Sequence, residues 1–295
     1  MHKDKTTLLK RARQKYISYG LSSRLNFDNP DSPLKKSYFG SMLCCDLIRQ
    51  EGIKLKTSYC NQRWCLVCNR IRTARLISGY LSEIQSFNDP YVLTLTKKTV
   101  YAENLPASMA FMATTWRKIT DRARKTRKNF KGVRKAECTI RPAGKYHYHF
   151  HLIIDGKENA EWLIARWLKM MKGAAIRTPQ DMRVSDDNSL KELFKYFTKL
   201  TTKGPNGEKV MFDTKRMDVI FQAMKGKRVF QPFGGVRIVT EEIERLTGEE
   251  YEHLDGEFHL WQWHTEDWIN ELGKCLTGHI PTEGFEEIIA PSLND

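Results

Sequence analysis

Residues 146–154 read YHYHFHLII, a stretch in which three histidines alternate with aromatic residues before an aliphatic end. Successive side chains of a β-strand point to opposite faces, so His147, His149 and His151 share one face and the apolar residues share the other. Neutral imidazole is the commonest metal ligand in proteins. The stretch therefore predicts a strand that faces a core on one side and a metal on the other. The alternative is a row of partly buried core histidines.

The segment before this stretch predicts its partner strand. Residues 133–141 are rich in β-formers, and Pro142-Ala143-Gly144-Lys145 has the composition of a turn, so the two strands are expected to form a hairpin. Glu137 could then face the same way as the histidines. A further strand is expected at 91–96, and apolar spacing predicts helices at 69–86, 105–127, 161–172 and 213–225. The fold class is therefore α+β, with a central antiparallel β-sheet and flanking helices.

A cysteine-rich segment precedes these elements. Cys60, Cys65 and Cys68 have the spacing C-x4-C-x2-C, and Cys44 and Cys45 lie upstream. Four thiolates suit tetrahedral zinc, and seven cysteines in a chain without signal-peptide character argue for metal rather than disulfides. A structural Zn²⁺ module is expected, with Cys44 or Cys45 as the fourth ligand and Cys45 preferred.

The charge of the chain is unevenly distributed. The net charge is +14, but residues 241–295 hold 15 acidic and 2 basic residues, whereas the remainder holds 47 basic and 20 acidic residues. The strong positive charge of residues 1–240 is typical of a protein that binds a polyanion. The acidic end could be a solvated tail, a partner site or an internal competitor for the DNA surface. Its tryptophans, Trp261, Trp263 and Trp268, are expected to form the core of a small C-terminal unit.

No apolar run approaches the roughly 20 residues that span a bilayer, so no membrane is expected as a partner. The N-terminal residues 1–5 are charged and lack a signal-peptide core, which predicts a cytoplasmic protein. The basic segment 1–35 is expected to be a loosely ordered arm in which a helix could start near Leu8.

Residues 189–200 form the second informative stretch, SLKELFKYFTKL. Glu192, Tyr196 and Lys199 fall at i, i+4 and i+7, which places them on one face of a helix. Tyr196 taken alone is most simply a tyrosine at the edge of the core. Ser189 and Glu192 also have the S-x-x-E form of a capping box.

Taken together, these segments resemble the rolling-circle replication initiators of small bacterial plasmids, within the HUH endonuclease superfamily. The matching segments are, in chain order, Cys60 to Cys68, Leu93 to Thr96, His149-Phe150-His151, Lys195 to Lys199 and Ala223 to Gly235. Leu66 departs from the family pattern, which has Pro there. The collinear order of the segments overturns the core interpretation of Tyr196.

The resemblance implies an HUH or RRM-like endonuclease core at 88–240, a basic arm and zinc module at 1–87, and a small acidic unit at 241–295. It implies that Tyr196 nicks and rejoins single-stranded DNA through a 5′-phosphotyrosine and starts rolling-circle replication. Lys199 would contact the phosphate or lower the phenol pKa. Glu192 would activate the water that ends the cycle, unless it only caps the helix.

The resemblance also implies a catalytic Mn²⁺ or Mg²⁺ held by His149, His151 and Glu137. His147 is a further candidate, either as a metal ligand or as a neighbour of the ligands or the phosphate. Origin DNA is the expected partner, with a host helicase and a homodimer as further candidates. The residues expected to bind DNA are Arg122, Arg124, Lys125, Arg127, Lys225, Lys227 and Arg228.

Other functions remain compatible with the sequence. A single-tyrosine HUH transposase has the same motifs, whereas a conjugative relaxase usually carries its tyrosine before the histidines. A non-catalytic, zinc-containing DNA-binding regulator would bind DNA without a covalent adduct. A metal-dependent hydrolase that uses activated water would not need Tyr196.

Overall fold

The computed structural model describes residues 4–186, 189, 193, 201–203, 209–211, 213–237 and 249–281. The chain forms two compact units. Unit 1 comprises Met1–Arg72, Thr201–Asp218 and Glu242–Asp295, and unit 2 comprises Thr73–Leu200 and Val219–Glu241. The predicted division into three consecutive domains is therefore corrected, because segments from both ends of the chain belong to one unit.

The described helices agree with the predicted helices within a few residues, apart from two at the N-terminus. The helices are α1 (Lys5–Asp28), α2 (Lys35–Met42), α3 (Leu66–Gln85), α4 (Leu105–Lys125), α5 (Lys157–Met171) and α6 (Thr214–Met224), with a 3-10 turn at Ala102–Asn104. No helix in the described part of the chain is long and apolar enough to cross a membrane.

The strands form two five-stranded antiparallel sheets and a two-stranded ribbon. They are β1 (Leu47–Glu51), β2 (Lys54–Thr57), β3 (Pro90–Thr96), β4 (Gly132–Arg141), β5 (Lys145–Asp155), β6 (Met182–Val184), β7 (Thr201–Lys203), β8 (Lys209–Met211), β9 (Phe230–Phe233), β10 (Glu249–Glu250), β11 (Phe258–His264) and β12 (Asp267–Ile269). The α+β class is confirmed.

The sheet of unit 2 has the order β6-β3-β5-β4-β9, with the histidine strand β5 at its centre. Strands β4 and β5 form the expected hairpin, in which Glu137 lies opposite His149. The apolar face of β5 packs against two helices, since the ring of Phe150 contacts Trp116 of α4 and Trp167 of α5. Alternation along the strand consequently puts the three histidines on the opposite face from these helices.

The sheet of unit 1 has the order β10-β2-β1-β11-β12 and draws strands from distant parts of the sequence. Strand β1 pairs with β11, so that Ile48 lies opposite Trp261. The C-terminal tryptophans share one hydrophobic core with the cysteines and with Leu8 and Ala12 of α1. The expectation of a separate acidic C-terminal unit with its own core was wrong, because its strands complete a sheet that begins near residue 47.

The N-terminal segment is a helix rather than a loosely ordered arm. Helix α1 runs for 24 residues, and Asp4 caps it by accepting a hydrogen bond of 2.9 Å from the amide of Thr7. Its apolar residues lie in the core of unit 1, and Arg11 forms a buried ion pair with Glu249. This partner lies 238 residues away in sequence, so local pattern alone could not reveal what orders the helix.

Candidate functional site

Three ligand-type side chains converge on the face of the β4–β5 hairpin that lies opposite helices α4 and α5. The Nε2 atoms of His149 and His151 lie 3.0 Å apart, and the Glu137 carboxylate lies 4.0 Å from the first and 3.5 Å from the second. Two imidazoles and a carboxylate are donors that divalent metal ions accept. The three groups could therefore hold a metal ion between them.

Hydrogen bonds on the far side of each imidazole fix which nitrogen faces the group. His149 Nδ1 lies 3.1 Å from the carbonyl oxygen of His147, which can only accept, so Nδ1 carries the proton. His151 Nδ1 lies 3.1 Å from the Thr94 hydroxyl. The Thr94 hydroxyl can donate or accept, so this contact does not fix the tautomer of His151. A cation shared by the two Nε2 atoms requires Nδ1 to be protonated in both rings, whereas a hydrogen bond between the Nε2 atoms requires His151 to carry its proton on Nε2. Such outer hydrogen bonds orient histidine ligands in metalloproteins generally.

The electrostatics of the group favour the forms that bind metal. Burial lowers the pKa of His149 to about 4, with help from the neighbouring His151, so its imidazole is neutral near pH 7. Burial works to raise the pKa of Glu137, but Lys135 and the histidines outweigh it and hold that pKa below its usual value. The ammonium of Lys135 is 1% exposed and donates a hydrogen bond of 2.9 Å to Glu137.

The low pKa of His149 predicts a pH-dependent stability. Without added Mn²⁺ or Mg²⁺, the unfolded chain binds a proton at His149 below about pH 6.5, whereas the folded chain binds it only below about pH 4. His149 should therefore contribute about 3 kcal/mol to the rise in the free energy of unfolding between these pH values, beside the contribution of His147, whose pKa is also lowered to about 4. Urea titrations followed by circular dichroism would measure this rise. A His149→Gln variant should lose that part of the slope, and an equal slope in both proteins would refute the assignment.

The structure does not place His147 in the group, which corrects its inclusion among the metal ligands. Its Nδ1 lies 3.2 Å from the guanidinium of Arg141, which can only donate, and its Nε2 contacts the hydroxyl of Thr96. The single lone pair of the neutral ring is therefore directed at Arg141. The ring of His147 instead stacks on that of His149, with centroids 4.7 Å apart. Burial, His149 and Arg141 together lower its pKa to about 4.

Four cysteines of unit 1 form a second group of metal-type ligands. Cys44, Cys60, Cys65 and Cys68 place their sulfur atoms within 4.8 Å of one another. The sulfurs of Cys44 and Cys60 lie 3.5 and 3.6 Å from that of Cys68. Four thiolates around zinc at about 2.3 Å would be about 3.8 Å apart, so the group could hold a tetrahedral Zn²⁺ with small adjustments.

The cluster contains Cys44 and not Cys45, so the preference for Cys45 was wrong. Cys45 adopts a left-handed conformation with φ of 59°, which turns the chain directly after Cys44. Its carbonyl accepts a hydrogen bond of 2.8 Å from the indole of Trp268, and its side chain is fully buried. In the cluster, hydrogen bonds with the other three thiols hold the pKa of the Cys65 thiol well below its usual value. The hydrogen bonds with the other thiols, that of Cys60 first, raise the pKa of Cys44, so a thiolate is favoured at Cys65 and not at all four sulfurs.

The predicted catalytic residues Tyr196, Lys199 and Glu192 lie outside the described residues. Nearby, Ser189 is itself helical, its amide donates to the carbonyl of Asp186, and its hydroxyl contacts the Asp186 amide at 2.9 Å. The pairing of Ser189 with Glu192 in a capping box stays a prediction, because Glu192 lies outside the described residues.

The residues predicted to bind DNA are exposed, but those of α4 do not share the histidine face. Arg122, Arg124 and Lys125 lie on the outer side of α4, the helix whose Trp116 covers the opposite face of the sheet. Arg127 follows α4, and Lys225, Lys227 and Arg228 follow α6. Their contacts with DNA stay predictions.

Sequence reasoning missed several polar residues around the group. Lys135 and Thr139 flank Glu137 at two-residue spacing on β4, and Thr94 and Thr96 lie opposite His151 and His149 on β3. The same alternation that grouped the histidines could have placed all four on this face. Arg141 continues the same alternation two residues after Thr139, and the strand register places it diagonally to His147.

The comparisons with known proteins give one match. The model of the Rep_1 family, described as replication protein, matches residues 53–260, which is more than half of the chain. The matched range contains Glu137, His149 and His151 and three of the clustered cysteines, but not Cys44. No curated protein and no solved structure matches the chain.

Proposed function

Because the chain belongs to the Rep_1 family of replication proteins and is a replication initiator of the rolling-circle plasmid type, we propose that it nicks and rejoins its origin through Tyr196. The observation that carries this proposal is the convergence of Glu137, His149 and His151 on one face of the β4–β5 hairpin. Strand transfer to a tyrosine needs such a site, because the attacked phosphodiester develops negative charge that must be stabilised.

A Mn²⁺ or Mg²⁺ ion held by these residues would act as a Lewis acid on the scissile phosphate. The Tyr196 oxygen attacks phosphorus, the P–O3′ bond breaks, and the freed 3′-hydroxyl takes up a proton and primes synthesis. The product is a 5′-phosphotyrosine. A free phenol has a pKa near 10, so the nucleophile needs activation at neutral pH. Lys199, three residues after Tyr196, would supply a positive charge for this purpose.

Glu192 would serve the end of the cycle. A residue four positions before Tyr196 would share its face in a helix, where a carboxylate can take a proton from an attacking water. Zn²⁺ at the four cysteines would be structural, since all four ligand positions are thiolates. Origin DNA is the partner, and helicase recruitment and a homodimer stay predictions.

The test is covalent capture of the intermediate. The protein is incubated with Mn²⁺ and single-stranded DNA that carries the cognate origin, then run on a denaturing gel beside Tyr196→Phe. We expect a protein–DNA adduct in the wild type alone, and a peptide that contains Tyr196 should carry the nucleotide in mass spectrometry.

Three other results would replace the proposal with a different function. Cleavage without an adduct in both proteins would indicate a hydrolase that uses water. Binding without cleavage on a verified origin would indicate a DNA-binding regulator. An adduct that joins only transposon ends, and not a plasmid origin, would indicate the related transposase.

A further inference from the structure

The hairpin carries a second set of polar groups beside the candidate metal ligands. Arg141 at the end of β4 donates a hydrogen bond of 3.2 Å to Nδ1 of His147, and the other ring nitrogen of His147 contacts Thr96. The imidazole therefore bridges a guanidinium to a neighbouring strand. The same imidazole stacks on His149, so Arg141 bonds the direct neighbour of a candidate metal ligand.

A buried hydroxyl lies next to this pair. Thr139 is opposite His147 in the strand register, and its side chain is 7% exposed. Within the described part of the chain, its hydroxyl is one of the buried polar atoms without a hydrogen-bond partner. Leaving a buried hydroxyl without a partner costs about 1–3 kcal/mol of folding free energy. A bound ligand that accepts a hydrogen bond from Thr139 would recover this cost.

The chemistry of these groups selects an anion. A guanidinium presents N–H donors in a planar fork that matches phosphate oxygens. His147 accepts from Arg141 and thereby orients the fork. A hydroxyl is a suitable additional donor. The three groups lie on the face of the sheet that carries Glu137, His149 and His151.

We propose that Arg141, oriented by His147 and supported by Thr139, binds a phosphate of single-stranded DNA adjacent to the one that faces the candidate metal ligands. His147 precedes His149 by two residues, about 7 Å along the strand, and consecutive phosphates of an extended strand are a comparable distance apart. The inference rests on the proposed nicking function. Arg141 contacts the DNA, and His147 is a positioning residue that acts through it.

Binding measurements test the site without reference to activity. Mn²⁺ affinity is measured by titration calorimetry, and affinity for a labelled single-stranded oligonucleotide of mixed sequence is measured by anisotropy over a series of salt concentrations. Arg141→Gln should leave Mn²⁺ affinity unchanged, weaken DNA binding about tenfold at low salt, and reduce the slope of log K against log salt by about 0.7, the value for one phosphate contact. The matched control, Lys169→Gln, removes an exposed charge from α5 on the other side of the sheet and should leave the slope unchanged.

Variants of the two supporting residues separate a positioning role from a structural one. His147→Phe keeps a ring that can stack on His149 but cannot accept from Arg141. It should weaken DNA binding, and the loss should not add to that of Arg141→Gln. Thr139→Val removes the unsatisfied hydroxyl, so it should preserve or raise thermal stability while it weakens DNA binding.

Three results would overturn the proposal: equal slope changes in Arg141→Gln and Lys169→Gln, full additivity of the two losses, or a loss of Mn²⁺ affinity in His147→Phe. The adduct assay tests the proposed nicking function separately from the phosphate site. Adduct formation with an unchanged Arg141→Gln slope would refute only the phosphate site. A reduced slope without any adduct in the wild type would refute only the nicking reaction.

Discussion

Replacing His151 with alanine is expected to raise the dissociation constant for Mn²⁺ by at least about 100-fold and to abolish adduct formation. Loss of groups that merely orient metal ligands costs about 10–100-fold in affinity or activity, and loss of a ligand should exceed that. His151 suits the test because it is less buried than His149, with 30% of its side chain exposed, so truncation should disturb the core little. Calorimetric titration with Mn²⁺ and the gel assay for the adduct would measure the two effects.

The neighbouring His147 provides the matched control. It lies on the same face of the same strand but outside the group of converging ligands. His147→Ala should therefore retain Mn²⁺ binding, although it should weaken DNA binding through Arg141. Equal losses of Mn²⁺ affinity in the two variants would show that all three histidines hold the metal and would refute the assignment made from the geometry.

Replacing Cys44 with alanine is expected to abolish stable zinc binding and to unfold much of unit 1. Structural zinc contributes on the order of 10 kcal/mol in small domains, and Cys44 supplies one of four sulfurs in a core that also holds helix α1 and the C-terminal tryptophans. The zinc content of the purified protein and its thermal unfolding curve would report the loss. Unit 2 keeps its own sheet, so part of the circular dichroism signal should survive.

The adjacent cysteine, Cys45, provides the matched control in the variant Cys45→Ala. Cys45 is also buried, but its side chain is outside the cluster, so its replacement removes only packing. A cost of about 1–2 kcal/mol and an unchanged zinc content are expected. Zinc loss in Cys45→Ala with retention in Cys44→Ala would reverse the assignment.

The hairpin could be predicted because the two-residue period of a β-strand fixes which side chains share a face. Once residues 146–154 are a strand, the faces of His149 and Phe150 are fixed, and the turn at 142–145 sets Glu137 on the partner strand. Local spacing likewise sufficed for helices α3 to α6. These features depend on interactions between residues that are near in sequence or paired across one turn.

The wrong expectations all depended on distant or single-residue geometry. The choice between Cys44 and Cys45 depends on the left-handed turn at Cys45, which no spacing rule specifies. Helix α1 is ordered by partners such as Glu249, and β1 by β11, each more than 200 residues away. The role assigned to His147 failed because its lone pair is committed to Arg141, a contact that follows from strand register and not from the histidine pattern.

The strands of the two sheets are completed at different times during translation. All strands of the unit 2 sheet have emerged once residue 233 has left the exit tunnel, whereas β1 and β2 then still lack β10, β11 and β12. Until residues 258–264 are synthesised, β1 has an open edge that can pair with other nascent chains. The unit that holds the four clustered cysteines therefore completes its sheet last although those cysteines are translated early. Premature stop codons after residue 240 should yield aggregating products rather than a smaller folded protein.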